Sequence, residues 1–307
     1  MGACQDASVP VWDSEIEVNA DLASGLIAEQ FPLLEARPLW RIGEGWDNTV
    51  WLNSQDIAFR FPRREVAIPG VEREIAVLPE LSAQLPAPIP DARYVGAATA
   101  AFPWPWFGSR LIRGTEIATA NLGVDQRGQL AFDLGVFLAC LHCLQSAKRE
   151  LLPVDPMGRA DMATRIPRAR AAVEEVAFLW AADDRVERIL SVAAASPADT
   201  ETVIVHGDLN VRHALVSASG ALAGVIDWGD MCRASRSVDL PLYWSLFDHR
   251  ARIQFRSAYG MLSESALAHA RVLALFMDAT LALYAHEKGM DHLKREALRG
   301  LERTATD

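Results

Sequence analysis

The sequence reads His-Gly-Asp-Leu-Asn-Val-Arg-His at residues 206–213, and Val-Ile-Asp-Trp follows at residues 225–228. An apolar run at residues 202–205 leads into the first segment, and a second short apolar run leads into the other. The first run predicts a short strand, and the second run is the far strand of a predicted hairpin that begins at residues 214–216 and turns at residues 217–220. Asp208 and Asp227 therefore each follow a strand. A carboxylate held rigidly at such a strand end can orient a hydroxyl or ligate a metal ion.

The chain before this segment changes character near residue 112. Residues 38–62 alternate as strand, glycine turn, strand, turn and strand, after a helical pattern in residues 12–35. A helix over residues 63–85 and short proline-punctuated strands follow. We therefore predict that residues 1–112 form a small β-rich lobe with leading helices.

Residues 113–307 are predicted to be mainly helical. The clearest helices are expected at 128–147 and 168–195, and residues 240–303 are helical again. The predicted fold class is thus α+β, with a small β-rich N-terminal lobe and a larger, mainly helical C-terminal lobe.

Composition excludes several classes of protein. Half of the 307 residues are hydrophobic, so global disorder is excluded. The net charge of −10 argues against a broad nucleic-acid or anionic-membrane surface. We expect no membrane span, because the apolar stretch at residues 272–284 is short and contains Asp278. No secretion signal is apparent, and four cysteines are too few for a disulfide scaffold, so we expect a cytoplasmic protein.

The motifs resemble the aminoglycoside and macrolide phosphotransferase family, which has the protein-kinase-like fold. The specific matches are His-Gly-Asp-Leu at 206–209, a polar residue five positions after the aspartate, and Ile-Asp-Trp at 226–228. Weaker matches are Arg-Phe-Pro-Arg at 60–63, Gly-Glu-Gly-Trp-Asp-Asn at 43–48 and Leu-Ala-Cys-Leu-His at 138–142. In this comparison His142 is a structural helix residue.

The resemblance implies a small-molecule kinase that transfers the γ-phosphoryl of ATP or GTP to a hydroxyl. Asp208 would be the catalytic base, and Asp227 and His213 would hold Mg²⁺. The nucleotide would be bound by residues spread over the first lobe and its end: Gly43, Gly45, Asn48, Arg60, Glu74, Arg110 and Ile112. The β-rich lobe would bind the nucleotide, and the helical lobe would carry the catalytic loop and the acceptor site.

Two positions depart from the family pattern. The first lysine of the chain is Lys148, so Arg60 must take the role that lysine has on the third strand of kinases. His213 stands where protein kinases have asparagine, although Mg²⁺ prefers oxygen ligands. These departures leave a second reading open, a nucleotide-binding pseudokinase or regulatory module.

The acceptor is a small hydroxylated molecule, and its identity stays open at this point. One side-chain set, of carboxylates in the second lobe, would suit a polycationic aminoglycoside: Asp230, Asp248, Asp278 and Glu287. Another set, of large aromatics, would suit the apolar face of a macrolide: Trp104, Trp106, Trp180 and Trp244. Another hydroxylated metabolite fits equally well, and the oligomeric state is not defined by the sequence.

Overall fold

A computed structural model describes residues 14–45 and 47–306. Contacts divide the chain into two compact units. The first unit runs to Pro79 and includes Pro90–Leu111. The second unit consists of Glu80–Ile89 and the chain from Ile112 onward.

The first unit is built on a five-stranded antiparallel sheet with the order β1-β2-β3-β5-β4. Its strands, in chain order, are β1 (Leu39–Glu44), β2 (Asn48–Asn53), β3 (Ile57–Pro62), β4 (Tyr94–Gly96) and β5 (Trp106–Arg110). Helix α1 (Ala20–Gln30) precedes the sheet, and α2 (Ile68–Ser82) begins after a short 3₁₀ turn that follows β3.

Aromatic side chains form the core of this unit. Alternate residues of β3, Phe59 and Phe61, are fully buried, because successive side chains of a strand point to opposite faces. Phe61 stacks on Trp106 with ring centroids 4.7 Å apart. Leu26 and Ile27 of α1 complete the same cluster, which explains why the leading helix packs on the sheet.

The second unit combines helices with two small sheets. Its helices are α3 (Val124–Cys143), α4 (Met162–Glu175), α5 (Asp184–Ala195), α6 (Pro241–Ser245), α7 (His249–Tyr259), α8 (Glu264–Glu287) and α9 (Asp291–Thr306). Its strands are β6 (Thr115–Glu116), β7 (Val203–Val205), β8 (Ala214–Val216), β9 (Leu222–Val225) and β10 (Cys232–Ala234). β7 pairs with β10, and β8 lies between β6 and β9.

The single helix predicted at residues 168–195 is wrong, because the structure has two helices there. α4 ends at Glu175, and α5 begins at Asp184. The Asp183 side chain caps α5 by accepting a hydrogen bond from the backbone of Arg185. Apolar residues continue through the break, so the periodicity alone did not mark it.

Helix α8 is the central helix of the second unit. By length and composition it is the one helix of the described residues that could cross a membrane, but 61% of its apolar window is buried inside the protein. It packs against α4, α5 and α9 through one apolar cluster that includes Val272, Leu275 and Ala279. The helix is longer than the apolar stretch at residues 272–284, because buried residues such as Ala266, Leu267 and Ala270 precede that stretch.

Candidate active site

The candidate site lies in the second unit, on the loops that follow β7 and β9. β7 leads into His206 and Asp208, and β9 leads into Asp227. The backbone N–H of Ile226 donates to the carbonyl of His213 at 2.9 Å. This bond ties the two loops together, so the aspartates that are 19 positions apart in the sequence face the same place.

Gly207 is required by the geometry of the first loop. Its φ is +93°, a conformation that side chains rarely adopt. A Cβ at this position would also lie 2.3 Å from the backbone carbonyl oxygen of Asp230. Any larger residue would displace either the loop after β7 or the segment after Asp227.

A buried carboxylate anchors the same loop from below. Asp239 is fully buried and accepts hydrogen bonds from the backbone N–H groups of His206, at 2.7 Å, and Gly207, at 2.9 Å. The Nε2 atom of His142 lies 3.3 Å from the same carboxylate, and its Nδ1 lies 2.7 Å from the hydroxyl of Tyr259. Burial alone would raise the pKa of Asp239, but the hydrogen bonds from His142 and the loop lower it below its usual value.

His206 is a structural residue that sets the loop conformation. Its Nε2 donates to the carbonyl of Ile226 at 2.9 Å, and its Nδ1 accepts from the backbone N–H of Asp208 at 3.2 Å. This pair of bonds requires the neutral ring with its proton on Nε2. Burial lowers the pKa of His206, which stabilises that neutral form.

Asp208, His213 and Asp227 form a chain of three facing side chains. His213 Nδ1 lies 3.5 Å from Oδ2 of Asp208, and His213 Nε2 lies 3.4 Å from Oδ2 of Asp227. Burial raises the pKa of Asp208, although His213 and Arg159 oppose the shift. Asp227 has a φ of +66°, which is strained for a residue other than glycine. Such strain often marks a functional position.

The residues around His213 fit a divalent cation. His213 Nδ1 lies 2.8 Å from the backbone carbonyl of Asp208, so a proton on Nδ1 leaves the Nε2 lone pair directed at the Asp227 side. His213 Nε2 and Asp227 Oδ2 then face each other at 3.4 Å, and both can serve as ligands of one cation. Within residues 14–45 and 47–306, no cluster of three or more His, Cys, Asp or Glu side chains could hold a metal ion. Water and substrate phosphates would therefore supply the remaining ligands, as is usual for Mg²⁺.

The opposite oxygen of Asp208 faces a second ion pair. Oδ1 of Asp208 lies 4.0 Å from Nη2 of Arg159, and the same nitrogen donates to Oδ2 of Asp230 at 2.5 Å. Neither the pairing nor the role of Arg159 is signalled in the sequence, because Arg159 lies on a loop far upstream of the motif. Asp230 was recognised only as one of several acidic candidates.

The first unit brings together three predicted nucleotide-binding residues. Nε of Arg60 lies 3.4 Å from Oε2 of Glu74, which is fully buried. With its amide oxygen turned toward the guanidinium, Asn48 accepts from Nη2 of Arg60 at 2.9 Å. Glu72, two positions earlier on the same helix, is exposed. Arg60 thus lies on β3 and pairs with a carboxylate of α2, and its contact with the nucleotide stays a prediction.

The remaining predicted nucleotide-binding residues lie at turns and strand ends. Gly43 lies at an irregularity in the pairing of β1 with β2, and the backbone N–H of Gly45 donates to the carbonyl of Asn48 at 2.9 Å. Trp46 of this turn lies outside the described residues. Arg110 ends β5 with an exposed side chain, and Ile112 lies just beyond it, at the start of the second unit.

The tryptophans considered for an apolar acceptor wall have other roles. Trp106 is fully buried in the core of the first unit. Trp244 stacks with the guanidinium groups of Arg252 and Arg271 and donates its Nε1 hydrogen to the backbone of Leu267. The prediction of an acceptor wall is therefore wrong for Trp106, whose ring is completely buried in the core. Trp244 is only partly buried, and its place in an acceptor wall stays a prediction.

Comparison with known proteins identifies the family. The family model described as the phosphotransferase enzyme family matches residues 39–275. The chain belongs to this family of phosphotransferases. No curated protein matches the chain significantly.

Solved structures confirm the predicted kinase-like fold class. The GDP complex of wild-type aminoglycoside 2′-phosphotransferase-IIIa aligns with a TM-score of 0.68 at 22% identity, covering 94% of this chain and 99% of that chain. Macrolide 2′-phosphotransferase type I aligns with a TM-score of 0.58 at 22% identity, covering 92% and 98%. The apoenzyme of macrolide 2′-phosphotransferase MphH from Brachybacterium faecium aligns with a TM-score of 0.59 at 20% identity, covering 92% and 97%.

Proposed function

We propose that this protein is a cytoplasmic kinase that transfers the γ-phosphoryl of ATP or GTP to a hydroxyl of an aminoglycoside or a macrolide. The observation that carries the proposal is the chain Asp208–His213–Asp227, which sets two carboxylates on either side of an imidazole. In this arrangement Asp208 can orient the acceptor hydroxyl, and Asp227 can hold a cation. Membership of a phosphotransferase family supports the reaction class.

Asp208 is proposed to be the base that receives the acceptor proton. Its side chain is partly exposed, and its backbone N–H is fixed by His206, so the carboxylate has a defined direction. The acceptor oxygen forms a bond to the γ-phosphorus while the bridging bond to the nucleoside diphosphate breaks. The hydroxyl proton passes to Asp208 late in this step, and phosphoryl transfer otherwise depends on positioning.

Asp227 and His213 are proposed to hold the magnesium ion. When it is bound, Mg²⁺ supplies charge neutralisation for the phosphates of the nucleotide. His213 Nε2 and Asp227 Oδ2, which lie 3.4 Å apart, would be the side-chain ligands of the ion. The strained backbone of Asp227 directs its carboxylate there and requires the surrounding loop to keep it in place.

Arg60 is proposed to bind the α- and β-phosphates of the nucleotide. Glu74 and Asn48 hold its guanidinium from two sides, which pre-organises a permanent cation with hydrogen-bond donors that suit phosphate. The nucleotide itself is supported by relatives whose structures are complexes with GDP or ADP. Backbone groups near Gly43, Gly45 and Arg110 of the same unit are proposed to add contacts to the nucleotide.

The acceptor classes follow from the relatives. Solved structures of relatives include a kanamycin complex of one aminoglycoside phosphotransferase and a gentamicin complex of another. Two other relatives are macrolide 2′-phosphotransferases. Both acceptor classes present a hydroxyl on a sugar ring, which fits a base that takes one proton and forms no covalent intermediate.

A coupled nucleotide-turnover assay tests the proposal. The wild-type protein is incubated with Mg²⁺ and ATP or GTP, with kanamycin or erythromycin as acceptor. Asp208→Asn is the test variant, and Asp183→Asn, which changes an exposed helix cap, is the matched control. We expect acceptor-dependent turnover that falls by about 10²–10⁴-fold in Asp208→Asn and is unchanged in the control.

Nucleotide binding without turnover would favour a pseudokinase. In that case a thermal shift with ATP or GTP would persist, while neither acceptor would increase nucleotide consumption. Near-normal turnover in Asp208→Asn would instead show that another residue is the base.

A further inference from the structure

Arg159 lies beside the proposed base on the side away from the cation site. One oxygen of Asp208 faces His213, which leads to Asp227, and the other faces Arg159 at 4.0 Å. The phosphoryl donor must approach with the cation, from the Asp227 side. The acceptor must therefore approach Asp208 from the side where Arg159 and Asp230 lie.

The loop before α4 is built to hold Arg159 in this place. The Asp155 carboxylate accepts from the backbone N–H groups of Arg159, at 2.7 Å, and Ala160, at 2.8 Å. Arg165 is buried and donates Nε to the carbonyl of Gly158 at 3.0 Å. A short parallel bridge between Val154 and Arg233 attaches the loop to β10. The half-buried Asp155 and the buried Arg165 thus stabilise one conformation of this loop.

The Arg159 side chain is itself mostly enclosed. Only 16% of it is exposed, and Asp230 accepts its hydrogen bond at 2.5 Å. Burial opposes the charged form, but Asp230 and Asp208 outweigh burial and raise the pKa of Arg159. The guanidinium is therefore a permanent positive charge next to the acceptor side of Asp208.

The catalytic loop adds no comparable cation on this side. Asn210 follows Asp208 by two positions, and its side-chain amide bonds within the same loop. Its Nδ2 donates to the backbone carbonyl of Asp208 at 3.1 Å, and its Oδ1 accepts from the backbone N–H of Arg212 at 2.9 Å. The Arg212 guanidinium turns toward Glu116, at 3.8 Å, and lies over the ring of Tyr284. Arg159 thus lies within ion-pair distance of both Asp208 and Asp230, and it partly neutralises their negative charge.

We propose that Arg159 determines acceptor specificity, by disfavouring molecules that carry several ammonium groups around the reacting hydroxyl. This inference rests on the proposed function and specifies its acceptor class. Asp208 and Asp230 alone would present two adjacent carboxylates, which attract a polycation. With Arg159 between them, the pair of Arg159 and Asp230 is neutral, and an ammonium group placed there meets a like charge. The site then favours an acceptor with a single amine, as in a macrolide, over a polyamine such as kanamycin.

The test compares two acceptors in three proteins. The ratio of kcat/KM for kanamycin to kcat/KM for erythromycin is measured in wild type, Arg159→Met and Arg159→Lys. Removing one positive charge near a partly exposed ammonium is expected to raise this ratio about tenfold in Arg159→Met. Arg159→Lys keeps the charge and is expected to stay within about twofold of wild type. Asp230→Asn should lower the ratio, because it leaves the guanidinium uncompensated.

Equal changes for the two acceptors in Arg159→Met would overturn the inference, since they would show that Arg159 only holds its loop. The same substitution measured by calorimetry gives a second readout, the Kd of each acceptor, which does not depend on turnover. Wild-type protein without turnover would refute the proposed function. The inference would still be judged by the Kd ratio, and it fails if that ratio is unchanged by Arg159→Met or if neither acceptor binds. A variant that does not fold is replaced in both measurements by Asp230→Asn, with the opposite sign expected.

Discussion

Asp239→Asn tests whether the buried carboxylate supports the catalytic loop. Asp239 accepts two backbone hydrogen bonds on different carboxylate oxygens: Oδ2 accepts from the N–H of His206, and Oδ1 accepts from the N–H of Gly207. An asparagine keeps the shape of the side chain but has only one oxygen. Its NH₂ group must therefore face one of the two backbone N–H donors.

The size of the effect follows from these contacts. A buried donor without an acceptor costs about 1–3 kcal/mol. The remaining bonds change from charged to neutral acceptors, which removes roughly another 1 kcal/mol. The free energy of unfolding should thus fall by about 3 kcal/mol. In a unit of this size, that lowers Tm by roughly 6–12 °C.

The measurement is thermal unfolding of Asp239→Asn beside Asp183→Asn. Asp183 is an exposed helix cap, and asparagine is an equally good cap, so the control should remain within about 0.5 kcal/mol of wild type. The pKa of Asp239 is lowered, so its stabilisation is present above the unfolded value near 4 and disappears as the pH falls further. The difference between wild type and variant should therefore shrink below about pH 4. A Tm equal to that of the control at pH 7 would refute the anchoring role.

Three further changes have defined outcomes. Gly207→Ala should lower kcat by at least about 100-fold, because its Cβ would clash with the carbonyl of Asp230 and because alanine is strained at the positive φ of this position. The control is Gly128→Ala on α3, whose Cβ would lie in open space, and it should leave turnover unchanged in the same assay. Asp278→Asn should raise the free energy of unfolding by about 1–3 kcal/mol at pH 8 and by less at pH 5. Burial raises the pKa of this carboxyl, so the folded state is penalised increasingly as the pH rises. Urea unfolding measures the effect, and a variant less stable than wild type at pH 8 would contradict the reasoning. Arg60→Ala should raise the nucleotide KM about tenfold or more with a smaller change in the acceptor KM, and unchanged steady-state values for both would assign phosphate binding to another group.

The strand and turn signals were local, and they predicted the framework of the site. The apolar run before His206, the run before Asp227 and the alternation of β3 each describe a short element whose pattern does not depend on distant residues. The requirement for glycine at position 207 follows the same motif. Its cause, however, is a backbone carbonyl 23 positions away.

Helix ends and buried partners were not predicted from local patterns. The break between α4 and α5 lies within an apolar stretch, and the core of the second unit decides where each helix starts. Trp106 and Trp244 carry no local mark that separates a core side chain from one lining a ligand site. Their burial depends on neighbours contributed by other elements.

The resemblance of His-Gly-Asp-Leu at 206–209 and Ile-Asp-Trp at 226–228 to the phosphotransferase family indicates the reaction class without any structure, because both motifs lie in one short segment. The surroundings of Asp208, in contrast, depend on the folded chain. Arg159 reaches it from a loop 49 positions earlier, and the carboxylate of Asp239 holds its loop from 31 positions later. Electrostatic and hydrogen-bond contacts depend on distance in space, and folding alone brings these groups within a few ångströms of each other.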